Sequence, residues 1–232
     1  MSEKALILTT ARPEYLPGLD YFWKLAQSDT LVFTDHFQYV KRSPITVSPP
    51  LSGFGSSLRI PVRHSDKAPL IKDKKIDRRQ PWQKKHLKSL YHQFHLTPFG
   101  YYYLPLLEEL YNKNIENLSD FLIELLQTFI KFLHLPLKIK RASQIGYTTD
   151  KNRSVIDWCH SIGAAQYLTF PEALAKGWVE RAVIEKAHIA VETFVPMPDY
   201  HILQSYNGYS AIGFLMQYGP EAGYILKQYL LR

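Results

Sequence analysis

Apolar positions along the first part of the chain change period twice. Ala5 to Thr10 is a short run rich in leucine and isoleucine, closed by turn formers at Pro13 and Pro17, and reads as a buried strand. From Gly18 to Ser28, Leu19, Phe22, Trp23, Leu25 and Ala26 recur at helical spacing, and Leu31-Val32-Phe33 follows as a second strand. Strand, helix and strand within about 30 residues predict a parallel βαβ unit. Val40 to Leu58 is rich in proline, serine and glycine and predicts a long loop, of the kind that in a compact domain is functional or mobile. Ser57 to Val62 predicts a further strand.

The middle of the chain is helical. Pro81-Trp82 opens a helix with Leu87, Leu90, Tyr91 and Phe94 as its apolar stripe, proline being suited to a first turn. Tyr101 to Tyr111 and Ser119 to Leu133 predict two more, the latter capped by Ser119 or Asp120. Leu137 to Arg141 then reads as a strand, Asn152 to Ile162 as a helix ended by Gly163, and Gln166 to Thr169 as a strand, a second βαβ-like unit. Ile189 to Val195 is a late strand stopped by Pro196 and Pro198, and Ser210 to Tyr218 a final helix. The expected fold class is α/β, a mostly parallel sheet built from βαβ units with a helical middle segment. The 232 residues suit one domain spanning 1–232.

Composition narrows the setting. Apolar residues at 46% and charged residues at 21% are those of a globular protein, which excludes a disordered chain. The most apolar stretch, Phe121 to Leu137, is broken by Glu124, Gln127, Lys131 and His134, so no membrane span is expected. The start of the chain has only about four apolar residues before Thr9, too few for a secretory leader, and the single Cys159 suits a reducing compartment. A cytoplasmic location is the expectation. The formal charge of +7 points to nucleic acid or to an acidic small molecule such as a sugar nucleotide. Cations are densest from Arg59 to Lys88, where Arg63, Lys67, Lys72, Lys74, Lys75, Arg78, Arg79, Lys84, Lys85 and Lys88 outnumber Asp66, Asp73 and Asp77. That window is the candidate anion-facing surface, against the plainer reading of a solvated loop and helix face.

No glycine-rich phosphate loop, Cys-x-x-Cys, His-Glu-x-x-His or Gly-x-Ser-x-Gly is present, so neither a cofactor nor a metal is expected. His92 and His95 share a helix at a spacing of three but have no obvious third ligand. Two clusters follow the first two strands. In the first, Arg12-Pro13-Glu14-Tyr15-Leu16-Pro17, a stiff turn places Arg12, Tyr15 and Tyr21 as candidate substrate-binding residues. In the second, Asp35 and His36 are the candidate catalytic residues, able to act as a general base or bind a hydroxyl, Lys41 and Arg42 can neutralise a phosphate or carboxylate, and Gln38 is a further candidate substrate-binding residue. Both clusters are expected at one sheet edge. The competing reading is that proline and tyrosine pack the corner and that the second cluster is a capped, solvated loop.

Together the clusters resemble the start of the WbqC-like family, whose members open with a Gln-Pro-x-Tyr-Leu-Pro type turn, a Gly-Tyr-Phe-like helix, an Ala-Asp before the second strand and an Asp-x-x-Gln-Tyr-x-Lys-Arg-Ser run. The corresponding residues are Arg12 to Pro17, Leu19 to Phe22, Ser28-Asp29 and Asp35 to Ser43. Arg59 to Val62, the Trp82-His86-Leu90 helix, Ile162 to Leu168 and Ser210 to Glu221 continue the likeness over nearly the whole chain. Departures mark a diverged member: Arg12 stands in place of Gln and Gly213 in place of Asp. Pro44 to Pro50 replaces an Asn-Arg-rich stretch, and Thr169-Phe170-Pro171 replaces a Gly-rich turn.

The resemblance implies a role in bacterial surface-polysaccharide, O-antigen-type (lipopolysaccharide) biosynthesis on an anionic or nucleotide-linked sugar precursor. An acyl or aminoacyl transferase is one form of that role, and a non-catalytic binding or assembly protein of the same pathway is the alternative. Nucleic acid is the weakest partner, because the aromatic residues fall at buried-helix spacing rather than among the lysines and arginines. Oligomeric state is left open.

Overall fold

A computed structural model describes residues 5–53, 55–64 and 70–230. In chain order the first half carries Leu6–Ala11 (β1), Leu19–Leu25 (α1), Thr30–Phe33 (β2), Trp82–Phe94 (α2), Gly100–Asn112 (α3) and Leu118–Phe132 (α4). The second half carries Lys138–Arg141 (β3), Ala142–Ile145 (α5), Lys151–Ile162 (α6), Ala164–Thr169 (β4), Pro171–Ala175 (α7), Arg181–Glu185 (α8), Ala190–Thr193 (β5), His201–Gln204 (α9), Ala211–Tyr218 (α10) and Glu221–Leu230 (α11). Contacts group these into two compact units. One takes in the chain up to Arg12, Lys24–His36 and Pro136–Pro196; the other takes Pro13–Trp23, Phe37–Leu135 and the chain from Met197 onward.

The first unit holds a five-stranded sheet in the order β3-β2-β1-β4-β5, parallel throughout. The class is α/β, as the pattern predicts. β2, an unbroken apolar run apart from Thr30, is buried along its whole length, whereas β3 at the edge alternates with exposed lysines. At the amino edge Asp29 ties three strands together. Its carboxylate accepts from the Ile7 N–H at 2.9 Å, its own N–H donates to the Ile7 carbonyl at 2.9 Å, and its carbonyl accepts from the Lys138 N–H at 3.0 Å. α6 starts at an Asp150 cap bonded to the Asn152 and Arg153 amides and ends at Gly163, whose φ of 73° suits the left-handed cap. Its inner face brings Val155, Trp158 and Cys159 to Leu8, Val32, Tyr167 and Val191.

The second unit is helical around a long irregular segment. Leu87, Leu90 and Phe94 of α2 are buried, as are Leu107 of α3 and Leu122, Leu125 and Phe129 of α4; Phe129 stacks on Phe22 at 5.4 Å. Ser57 to Val62 does not form a strand. Only single bridges, Val47 to Arg59 and Val62 to Ile76, punctuate it, because Pro61 has no N–H to continue a ladder. The α4 cap is Asn117, not Ser119 or Asp120. Its side chain accepts from the Asp120 amide at 3.1 Å and donates to the Lys72 carbonyl at 2.7 Å, while Ser119 is buried within the first turn. The helix ending at Tyr218 is not the final one, since α11 follows α10: Gly219 ends the earlier helix and Pro220 immediately precedes the new one.

Candidate functional site

From β1 the chain builds outward through β2 and β3 on one side, and β4 and β5 lie on the other. The order therefore reverses between β1 and β4, and in open parallel sheets the carboxyl edge at such a reversal is where ligands sit. Hydroxyls line this junction. Thr10 Oγ1 meets the Tyr167 hydroxyl at 2.9 Å, and Thr9 Oγ1 donates to the Leu168 carbonyl at 2.9 Å. Arg12 follows β1 directly and is exposed.

The register Ala11 to Phe33 to Arg141 brings the ends of β1, β2 and β3 level. Thr34 anchors the join, its N–H and Oγ1 donating to the Ala11 carbonyl at 2.9 and 3.0 Å. Beyond it the Asp35 side chain is fully enclosed. Oδ2 accepts from Arg141 Nε at 3.1 Å and from Ser143 Oγ at 2.7 Å, and Oδ1 accepts from the Ser143 amide at 3.1 Å. His36 is half-buried, stacked on Tyr147 at 4.3 Å and edge-on to Trp158 at 5.9 Å. Burial lowers its pKa from the ordinary histidine value, against a smaller opposing pull from the Asp35 charge. A neutral imidazole next to an ordered carboxylate can accept a proton, and an exposed arginine at the same sheet edge can hold an anion. Burial pushes the Cys159 thiol up to about 12, which favours its protonated form.

Arg12, Asp35 and His36 thus share one edge of the first unit. Arg141, Ser143 and Tyr147 complete it and escaped the sequence reading. Their signal was slight, an arginine closing a predicted strand, because the partner Asp35 lies 106 residues away.

Tyr15, Tyr21, Gln38, Lys41 and Arg42 belong to the second unit. Tyr15 is wholly buried, its hydroxyl bonded to His86 Nδ1 at 2.7 Å and to the Tyr111 hydroxyl. Burial raises the Tyr15 and Tyr111 pKa values and lowers that of His86 to about 4, so the chain of three is neutral. Trp82 packs edge-on to His86 at 5.1 Å. The Ala211 amide at the start of α10 donates to the Pro17 carbonyl at 2.9 Å, and Gly18 pairs with Ser210. The opening turn, the Trp82-His86 helix and the closing Ser210 helix therefore meet inside one unit. Tyr21 is also buried, and its pKa is raised by burial and then by the Glu14 charge. Gln38 is exposed and pairs through its backbone with Leu70; Lys41 and Arg42 are exposed, Arg42 at φ 56°.

Of the basic window, Asp66 and Lys67 lie outside the described residues, while Arg63, Arg78 and Arg79 line an open cleft together with Asp77. Among the described residues no three His, Cys, Asp or Glu side chains gather as a metal site requires, and no helix is long and apolar enough to cross a membrane.

A sequence model of the WbqC-like protein family matches residues 12–225. No curated protein and no solved structure matches the chain.

Proposed function

The chain belongs to the WbqC-like protein family, and from that premise we propose that it handles a nucleotide-linked sugar in the cytoplasm, as a step of surface-polysaccharide synthesis of the O-antigen type. The observation that carries this reading is Arg12. It stands exposed where the strand order reverses, one strand away from a half-buried, neutral His36. A diphosphate would meet the Arg12 guanidinium, and the sugar would lie toward His36 and the Tyr147 ring. For acyl transfer from an activated thioester, His36 takes the proton of a sugar hydroxyl or amine as the new ester or amide bond forms. The thiolate leaves and recovers that proton. Asp35 is spent on Arg141 and Ser143, so its part is to position the end of β2 beside His36.

That commitment of Asp35 also favours the second reading, a binding protein of the same pathway without turnover. Calorimetry with a panel of sugar nucleotides tests both. One member should bind, stabilising the protein by about 2.7 kcal/mol at 100 times its Kd. Arg12→Ala should weaken that binding about 10-fold or more while leaving the unliganded melting temperature unchanged. With an acyl thioester added, His36→Gln should abolish acyl transfer but keep binding; binding with no turnover in the wild type selects the second reading. If no sugar nucleotide binds, or Arg12→Ala binds like wild type, both readings fail.

A further inference from the structure

We propose that the cleft formed by Arg63, Asp77, Arg78 and Arg79 in the second unit is a binding site for the phosphate groups of a phosphorylated small molecule. It lies within the second unit and does not rest on the reading given for the sheet edge of the first.

The cleft encloses about 440 Å³, within the range of small-molecule sites, and is open to solvent. Among the described residues, three of the four lining side chains are guanidinium groups. The segments that carry Arg63 and Asp77 pair antiparallel at buried Val62 and Ile76: the Arg63 amide donates to the Lys75 carbonyl at 3.0 Å, and the Asp77 amide to the Pro61 carbonyl at 2.9 Å. Asp77 is nearly inaccessible at 8% side-chain exposure, whereas Arg79 above it is 83% exposed. Their pairing is bidentate, Arg79 Nε to Oδ1 at 2.9 Å and Nη2 to Oδ2 at 2.7 Å, and the Arg79 amide adds a third bond to Oδ1 at 3.1 Å. Those bonds hold the Asp77 carboxyl ionised, down to about 2.

An exposed arginine normally loses rotamer freedom when it grips an anion. Here Asp77 has already fixed the Arg79 fork, and the asparagine Asn114 accepts from Arg78 Nη1. A guanidinium carries five N–H donors; Asp77 uses two of those on Arg79 and Asn114 one on Arg78, so most remain for a ligand. Arg63, only loosely paired with Glu116 at 3.7 Å, supplies a third cation. Guanidinium forks match the oxygens of a phosphate in pairs, which lysines elsewhere in the basic window do not. Among the described residues no aromatic ring lines the cleft to stack a base, which argues against a single-stranded nucleic acid.

The test is calorimetry of the full chain with inorganic pyrophosphate, together with Arg79→Lys, Arg78→Ala and Asp77→Asn variants. Pyrophosphate should bind the wild type, and Arg79→Lys and Arg78→Ala should each weaken it about 10-fold or more. Asp77→Asn should also weaken it, although it removes a negative charge, because it releases the Arg79 fork. Arg79→Lys keeps the charge on an exposed side chain, so it leaves the fold intact should Asp77→Asn unfold. The proposal is overturned if pyrophosphate does not bind, if Arg79→Lys and Arg78→Ala bind like wild type, or if Asp77→Asn folds and binds more tightly, the mark of a merely cationic surface. A generic DNA duplex that displaces pyrophosphate from the wild type overturns it as well, by making this a nucleic-acid surface.

Discussion

Tyr15 carries its hydroxyl into a fully enclosed place, and the cost of burying that group is met by His86 and Tyr111. Burial favours the neutral form of His86. Its folded pKa of about 4 lies below the ordinary 6.5, so the unfolded chain binds a proton first on acidification. The contribution is complete above pH 6.5 and is lost as pH falls from 6.5 to 4, amounting to about 3 kcal/mol over that window. Asp77 acts lower down: its depressed carboxyl contributes above 3.8 and is lost as pH falls toward 2. Urea unfolding at a series of pH values should show the upper loss in the wild type, and His86→Gln, less stable throughout, should lack that part of the slope. Parallel pH curves for the two proteins would falsify the buried neutral His86.

Among the elements, α11 shows how a packing contact reverses a propensity. Alanine is normally better than glycine inside a helix by about 1 kcal/mol. Gly223, however, lies against the Leu133 carbonyl at the end of α4, where a Cβ would overlap the carbonyl oxygen, and Lys227 donates to the next carbonyl, of His134, at 2.7 Å. Gly223→Ala should therefore destabilise the protein, by about 1–3 kcal/mol, as overpacking does. A denaturation midpoint that rises instead would show that α11 does not seat on α4. Most long elements were legible because their periods repeat, the ten-residue α11 being the exception; α5, α7, α8 and α9 have four or five residues, too few for a period to show.

For the whole molecule, the chain passes between its two units at Pro13, Lys24, Phe37, Pro136 and Met197, so neither is a continuous segment. No single cut separates them, and on that ground the chain is proposed to unfold as one domain. Single-tryptophan variants retaining Trp158 in the first unit or Trp82 in the second should report the same urea midpoint; two distinct midpoints would refute it. By itself the sequence determined the α/β class, the order of the long elements, the basic window and the family, because hydrophobic period, turn formers and local motifs are short-range signals. Tertiary structure alone decided that β1 lies between β2 and β4, that Asp35 clamps Arg141 and Ser143, that Tyr15 faces His86 rather than solvent, and that Asp77 sets the fork of Arg79 over a cleft. Most of these depend on which distant segments bury one another, 71 residues apart for Tyr15 and His86 and 106 for Asp35 and Arg141. Parallel pairing of that reach leaves no mark on the local pattern, because any apolar strand of suitable length fits beside any other until the packing around it has been chosen.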